Sequence, residues 1–68
     1  MEIQIVAKGR HEVAELPDDV AWALAELCKR ITFSDCRSNA VDDDEAYKMI
    51  DGTNTLGDVL ARAGYNPR

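Results

Sequence analysis

The segment Leu16-Pro17-Asp18-Asp19 divides the chain into two parts with different hydrophobic periods. Before it, Met1, Ile3, Ile5 and Ala7 alternate with Glu2, Gln4 and Lys8, the period of a strand with one buried face. After it, Val20, Leu24, Leu27, Cys28 and Ile31 recur at i, i+4, i+7, i+8 and i+11, the period of a helix with one apolar stripe. A chain that changes period in this way folds as strands followed by helices, which is an α+β plan.

The first strand covers Met1 to Ala7, and a second covers His11 to Leu16, so the two form an N-terminal hairpin around Gly9. Two turns compete. A type II′ turn at Gly9-Arg10 sets Ile5 against Ala14 and Ile3 against Leu16, whereas a turn at Lys8-Gly9 sets Ile5 against Glu12. The first register keeps apolar residues together on one face and is the expected one. A two-stranded hairpin is barely stable in water, so it must lean on the helices. Its free edge can pair with that of a second copy, which makes a homodimer the expected assembly.

Pro17 suits the first helical position, and Asp18 and Asp19 place negative charge at the positive end of the helix dipole. The stripe is lost between Thr32 and Asn39, so the first helix stops near Phe33 or runs on to about Asn39. Asp42 and Glu45 have the spacing of a capping box and open a second helix. In it Ala46, Met49, Ile50, Thr53, Leu56, Leu60 and Ala63 keep helical phase across the weak helix formers Asp51 to Thr55, so one helix is expected through that stretch. Gly64 is a natural left-handed stop, with Pro67 just beyond. The tail from Gly64 to Arg68 is either a frayed end or an anchor in which Tyr65 folds back. The expected architecture is β-β-α-α: two antiparallel helices packed on each other and on one face of the hairpin, in two layers.

At 68 residues the chain has room for one domain, and a domain of this size buries only about 60% of the surface its unfolded form exposes. Such domains usually need a disulfide, a metal or a partner subunit. The two cysteines, Cys28 and Cys36, are eight residues apart. On one helix that is about 12 Å, beyond a disulfide, and a reduced chain is expected. The start Glu2-Ile3-Gln4-Ile5-Val6 is too short and too polar for a secretory or membrane segment, so the cytoplasm is the expected compartment. The net charge of −5, with eight basic residues scattered among thirteen acids, argues against direct nucleic-acid binding. It leaves open an acidic surface docking on a basic one.

No residue set has the spacing that chemistry requires. The run Asp42-Asp43-Asp44-Glu45 offers carboxylates, but a calcium loop beginning at Asp42 would need its closing Glu where Thr53 stands. A solvated helix start explains the run better. A zinc site would have to combine His11, Cys28 and Cys36 without any paired ligand spacing. Cys28 lies on the apolar stripe, where a free cysteine serves as a small hydrophobe. No phosphate loop or nucleophile motif occurs, and neither an enzyme, a cofactor nor a metal is expected.

On a helical wheel Trp22, Glu26, Lys29 and Phe33 sit opposite the Val20, Leu24, Ile31 stripe, and Tyr47 leaves the second helix's stripe by about 120°. Either the rings are ordinary core between packed elements, or they form an exposed apolar patch rimmed by charge, the mark of a partner interface. Trp22, Glu26, Lys29, Phe33 and Tyr47 are therefore the candidate partner-binding residues.

The segments Lys29-Arg30-Ile31-Thr32-Phe33, Asp43-Asp44-Glu45-Ala46-Tyr47 and Ala63-Gly64-Tyr65-Asn66-Pro67-Arg68, in that order, resemble short uncharacterised proteins carried by phages and prophages of proteobacteria. The resemblance runs from about Leu24 onward and carries no agreed activity. Such proteins keep company with small phage proteins that block host defence, as anti-CRISPR proteins do, or host regulators. It implies an acidic interaction protein that binds and modulates or inhibits a host protein. The alternative is a self-associating structural or accessory subunit with no catalytic role.

Overall fold

The computed structural model describes residues 1–68. In chain order the elements are β1 (Glu2–Ala7), β2 (Arg10–Glu15), α1 (Asp18–Arg30), α2 (Phe33–Asn39) and α3 (Asp43–Arg62). The α+β plan holds, with three helices in place of the expected two. Pro17 is the cap of α1 rather than its first residue, and its carbonyl accepts from the Ala21 amide at 2.9 Å.

The hairpin adopts the register set aside in the sequence analysis. Ile5 faces Glu12, Ile3 faces Ala14 and Ala7 faces Arg10, because the turn is at Lys8-Gly9. Both turn residues have positive φ, 53° and 72°, as a type I′ turn requires, and that turn matches the twist of the strands. Strand geometry outweighs the better apolar pairing.

The expected two-layer packing is not formed. Elements pack as β1 on β2, α1 on α3 and α2 on α3, and neither strand packs on a helix. The hairpin is tied at its base alone. The Leu16 amide donates to the Met1 carbonyl at 2.6 Å, the Met1 amino group donates to the Leu16 carbonyl at 2.7 Å, and the Met1 side chain rests on Ala25, Cys28 and Leu60. Ile3 is half-buried there, while Ile5, Val6 and Val13 are exposed.

Helix α1 is rotated by one residue from the expected orientation. Its buried residues are Ala21, Ala25 and Cys28, and of the expected stripe Val20 and Leu27 are exposed while Leu24 and Ile31 are half-buried. The cause is the closeness of α3. A Cβ at Gly57 would lie 3.3 Å from Cys28 Cβ, and only small residues permit helix axes to approach so far.

Thr32 separates α1 from α2. Its hydroxyl accepts from the Asp35 amide at 3.2 Å, and the Asp35 carboxylate accepts from the Thr32 amide at 2.9 Å, a reciprocal capping box. Cys28 and Cys36 are therefore on different helices, each buried and unpaired. Asp42 caps α3, accepting from the Glu45 amide at 2.8 Å, while Glu45 reaches back one residue further than expected, to the Val41 amide at 3.1 Å. Helix α3 is continuous through Asp51 to Thr55, as the apolar phase requires.

The helices form a single layer, and the molecule measures 36 × 32 × 16 Å. Its radius of gyration is 13.1 Å, against about 11 Å for a compact chain of this length.

Candidate interaction surfaces

Helix α3 ends in a Schellman turn, and that turn decides the fate of the tail. Gly64, at φ 106°, allows the Gly64 amide to donate to Ala61 at 3.1 Å and the Tyr65 amide to donate to Leu60 at 2.9 Å. Tyr65 is thereby aimed at α1. Its ring meets Trp22 edge to face, with centroids 5.3 Å apart, and its hydroxyl donates to Asp18 Oδ1 at 2.7 Å. That acceptor, first, and the nearby negative charge of Asp18 and Glu15 hold the Tyr65 phenol above its ordinary pKa. Further along α1, the Lys29 ammonium donates to the Pro67 carbonyl and the Arg30 guanidinium to the main-chain oxygen of Arg68 at 3.1 Å. The tail is an anchor.

This clasp divides the candidate partner-binding residues. Trp22 and Lys29 hold the tail, and Glu26 pairs with Arg30 at 2.8 Å beside it. Phe33 is not on the wheel of α1 at all, because it begins α2. It meets Tyr47 of α3, with ring centroids 4.7 Å apart. The two rings share a corner with an ion pair. Arg37 lies four residues after Phe33, Asp43 lies four before Tyr47, and Arg37 Nε donates to Asp43 Oδ1 at 2.7 Å. Residues four apart share a helix face, so rings and charges form one patch at the junction of α2 and α3. Exposure is 41% for Trp22, 36% for Phe33 and 59% for Tyr47. The most exposed aromatic, Tyr47, is thus in the α2–α3 patch.

The remaining residues with chemical potential are spread out. His11 stands on the hairpin, hydrogen-bonded to Gln4 Oε1 at 3.0 Å. Burial pushes the Cys28 thiol above its ordinary pKa, away from the thiolate that nucleophilic attack needs. The acidic run is taken up locally: Asp42 caps α3, Asp43 meets Arg37, and Asp44 meets Lys48 at 2.9 Å. No group of three His, Cys, Asp or Glu side chains converges on a point. No helix is long and apolar enough to cross a membrane.

Sequence reasoning missed one surface. Val20, Leu27 and Ile31 of α1 stand beside the core face, and Leu24 stands at its edge, half-buried against the core. Ile31 joins Met49, Gly52 and Leu56 of α3 around a groove, while Lys29 on the other side of α1 joins Asn54, Asp58 and the tail residues Asn66 and Pro67. The helical layer therefore has a tail face and an apolar face. The signal lay in the width of the apolar arc on α1, where the stripe Ala21, Ala25, Cys28 adjoins Val20, Leu24, Leu27, Ile31. A helix that packs on one side alone needs less.

The fold and its surfaces define a small α+β protein that exposes aromatic and aliphatic side chains on its helices. Over residues 1–68 the chain matches DUF7706, a family of unknown function, and belongs to it. No curated protein and no solved structure matches the chain.

Proposed function

We propose that the protein is an interaction module that binds and modulates another protein, with a binding rather than a catalytic role. The observation that carries this reading is the Phe33–Tyr47 ring pair, exposed beside the Arg37–Asp43 ion pair. Exposed aromatics flanked by charge are the side chains that dominate interface energies. The net charge of −5 favours a partner with a basic rim and an apolar pocket for the rings. The likeness to phage and prophage proteins supports a host protein as that partner, encountered in the host cytoplasm and inhibited by occupancy, in the manner of an anti-CRISPR protein.

The test is a pull-down from host lysate followed by titration with the purified partner. Phe33→Ala/Tyr47→Ala should weaken binding at least tenfold, while Trp22→Ala, which loosens the tail, should leave affinity within about threefold when the protein is folded. A partner indifferent to the Phe33/Tyr47 change would refute this site, and the absence of any stoichiometric partner would refute the function.

A further inference from the structure

The apolar face of the helical layer is larger than one chain can leave in water. Val20, Leu24, Leu27 and Ile31 form an uncharged stripe on α1, Ile31 meets Leu56 of α3 across a groove whose charged lining is Asp35 and Lys48, and Val59 lies one turn beyond Leu56. Leu27 is 57% exposed and Val59 50%. Meanwhile the buried core of the chain is six residues, of which Leu60 alone is large.

Surface area gives the size of the deficit. The chain exposes 5168 Å² at 7.5 kDa, where a folded monomer of that mass exposes about 4,250 Å². The excess, about 900 Å², is that of the whole chain, projecting hairpin included, and is of the order of the roughly 800 Å² that each partner contributes to a standard interface. A face dominated by branched aliphatic residues is also the composition of a permanent interface, which resembles a core cut in half. A chain with so small a core needs its partner while it folds, and the one molecule always present then is another copy.

We infer that this face, formed by Val20, Leu24, Leu27, Ile31, Leu56 and Val59, is the interface of a two-fold homodimer, in which the same stripe of each copy covers the other. The site lies apart from the Phe33–Tyr47 patch. It also differs from the strand edge that the sequence suggested, because the helices present the broader apolar surface.

The experiment is sedimentation equilibrium with thermal unfolding, on the full chain and on Leu27→Glu and Val59→Glu. Both substituted side chains are exposed in the single chain, so neither change opens a cavity. The unmodified chain is expected at about twice 7.5 kDa, with a Tm that rises with protein concentration. Each variant is expected to halve the mass and abolish that concentration dependence. Should a variant fail to fold, isotope-filtered NOEs on a mixed labelled and unlabelled sample of the unmodified chain read the interface directly, and contacts between copies at the Leu27 and Val59 methyls are expected. A monomer at every concentration overturns the inference, as does a dimer that survives both substitutions. A monomer that instead holds a different protein, lost on Leu27→Glu, assigns the face to that protein and overturns it as well.

Discussion

At Gly57 a single hydrogen atom lets α3 lie against Cys28, whereas nothing comes within 4 Å of a Cβ placed at Gly52. Alanine is a better helix former than glycine by about 1 kcal/mol, so Gly52→Ala should stabilise the protein by roughly 0.5–1 kcal/mol. Gly57→Ala should gain none of this and lower the denaturation midpoint, because Cys28 Cβ cannot swing aside. Equal effects at the two positions would contradict the packing described. Tyr65 offers a second check, through pH. Its phenol is held above the ordinary value chiefly by the hydrogen bond to Asp18, so the folded form keeps the proton more tightly than the unfolded form. That contribution is complete below the unfolded pKa near 10 and is lost as pH rises through the folded pKa. Tyr65→Phe should therefore flatten the alkaline decline of stability. Asp35 runs the other way: the Thr32 amide, then its hydroxyl, hold the carboxyl below its ordinary pKa, and its contribution is present above the unfolded value and disappears as acid protonates it. Of these features, the helix caps were written locally and could be read: Asp42 stands three residues before Glu45, and Gly64 just past the last apolar residue. The destination of Tyr65 could not, because Asp18 is 47 residues away in the chain.

The elements show where local signals mislead one another. Thr32 and Asp35 carry the capping-box spacing that Asp42 and Glu45 carry, and the pair marks the start of α2 as plainly; with one read and not the other, the end of the first helix stayed open between Phe33 and Asn39 and α2 was not foreseen as a separate helix. Removing the cap with Thr32→Ala should cost about 1 kcal/mol and increase amide exchange in Phe33 to Asn39. The hairpin register was misjudged for a different reason. Apolar pairing favoured the turn at Gly9-Arg10, but the hairpin contacts no helix, so burial had little weight and turn geometry prevailed. Lys8 bears a positive φ of 53° that lysine tolerates poorly. Lys8→Asn creates the dipeptide that type I′ turns favour and should slow amide exchange across β1 and β2 without altering that of α3. Faster exchange in the strands would count against the turn assigned here. The orientation of α1 was illegible for a third reason, since its two adjacent apolar stripes are equally good cores until the glycine on α3 selects the smaller one.

For the whole molecule, one-layer architecture makes shape a measurable property. The isolated chain has a radius of gyration of 13.1 Å, and small-angle scattering of a monomeric Leu27→Glu variant should return a value near it rather than the roughly 11 Å of a compact chain of this length. A compact value would mean that the hairpin folds down on the helices after all. The division into strands followed by helices was legible from the change of period at Leu16-Pro17-Asp18-Asp19; the outward-facing aliphatic surface was not, because a stripe looks the same whether its own chain or another covers it. The tail clasp bears on the order of events during folding. Its contacts join residues 38 and 47 positions apart, and they have nothing to hold until α1 and α3 are already side by side. Closing so long a loop early would be entropically costly, so the clasp belongs after the rate-limiting barrier. Tyr65→Ala should consequently leave the refolding rate almost untouched and accelerate unfolding, making the last few residues a brake on opening rather than a guide to assembly.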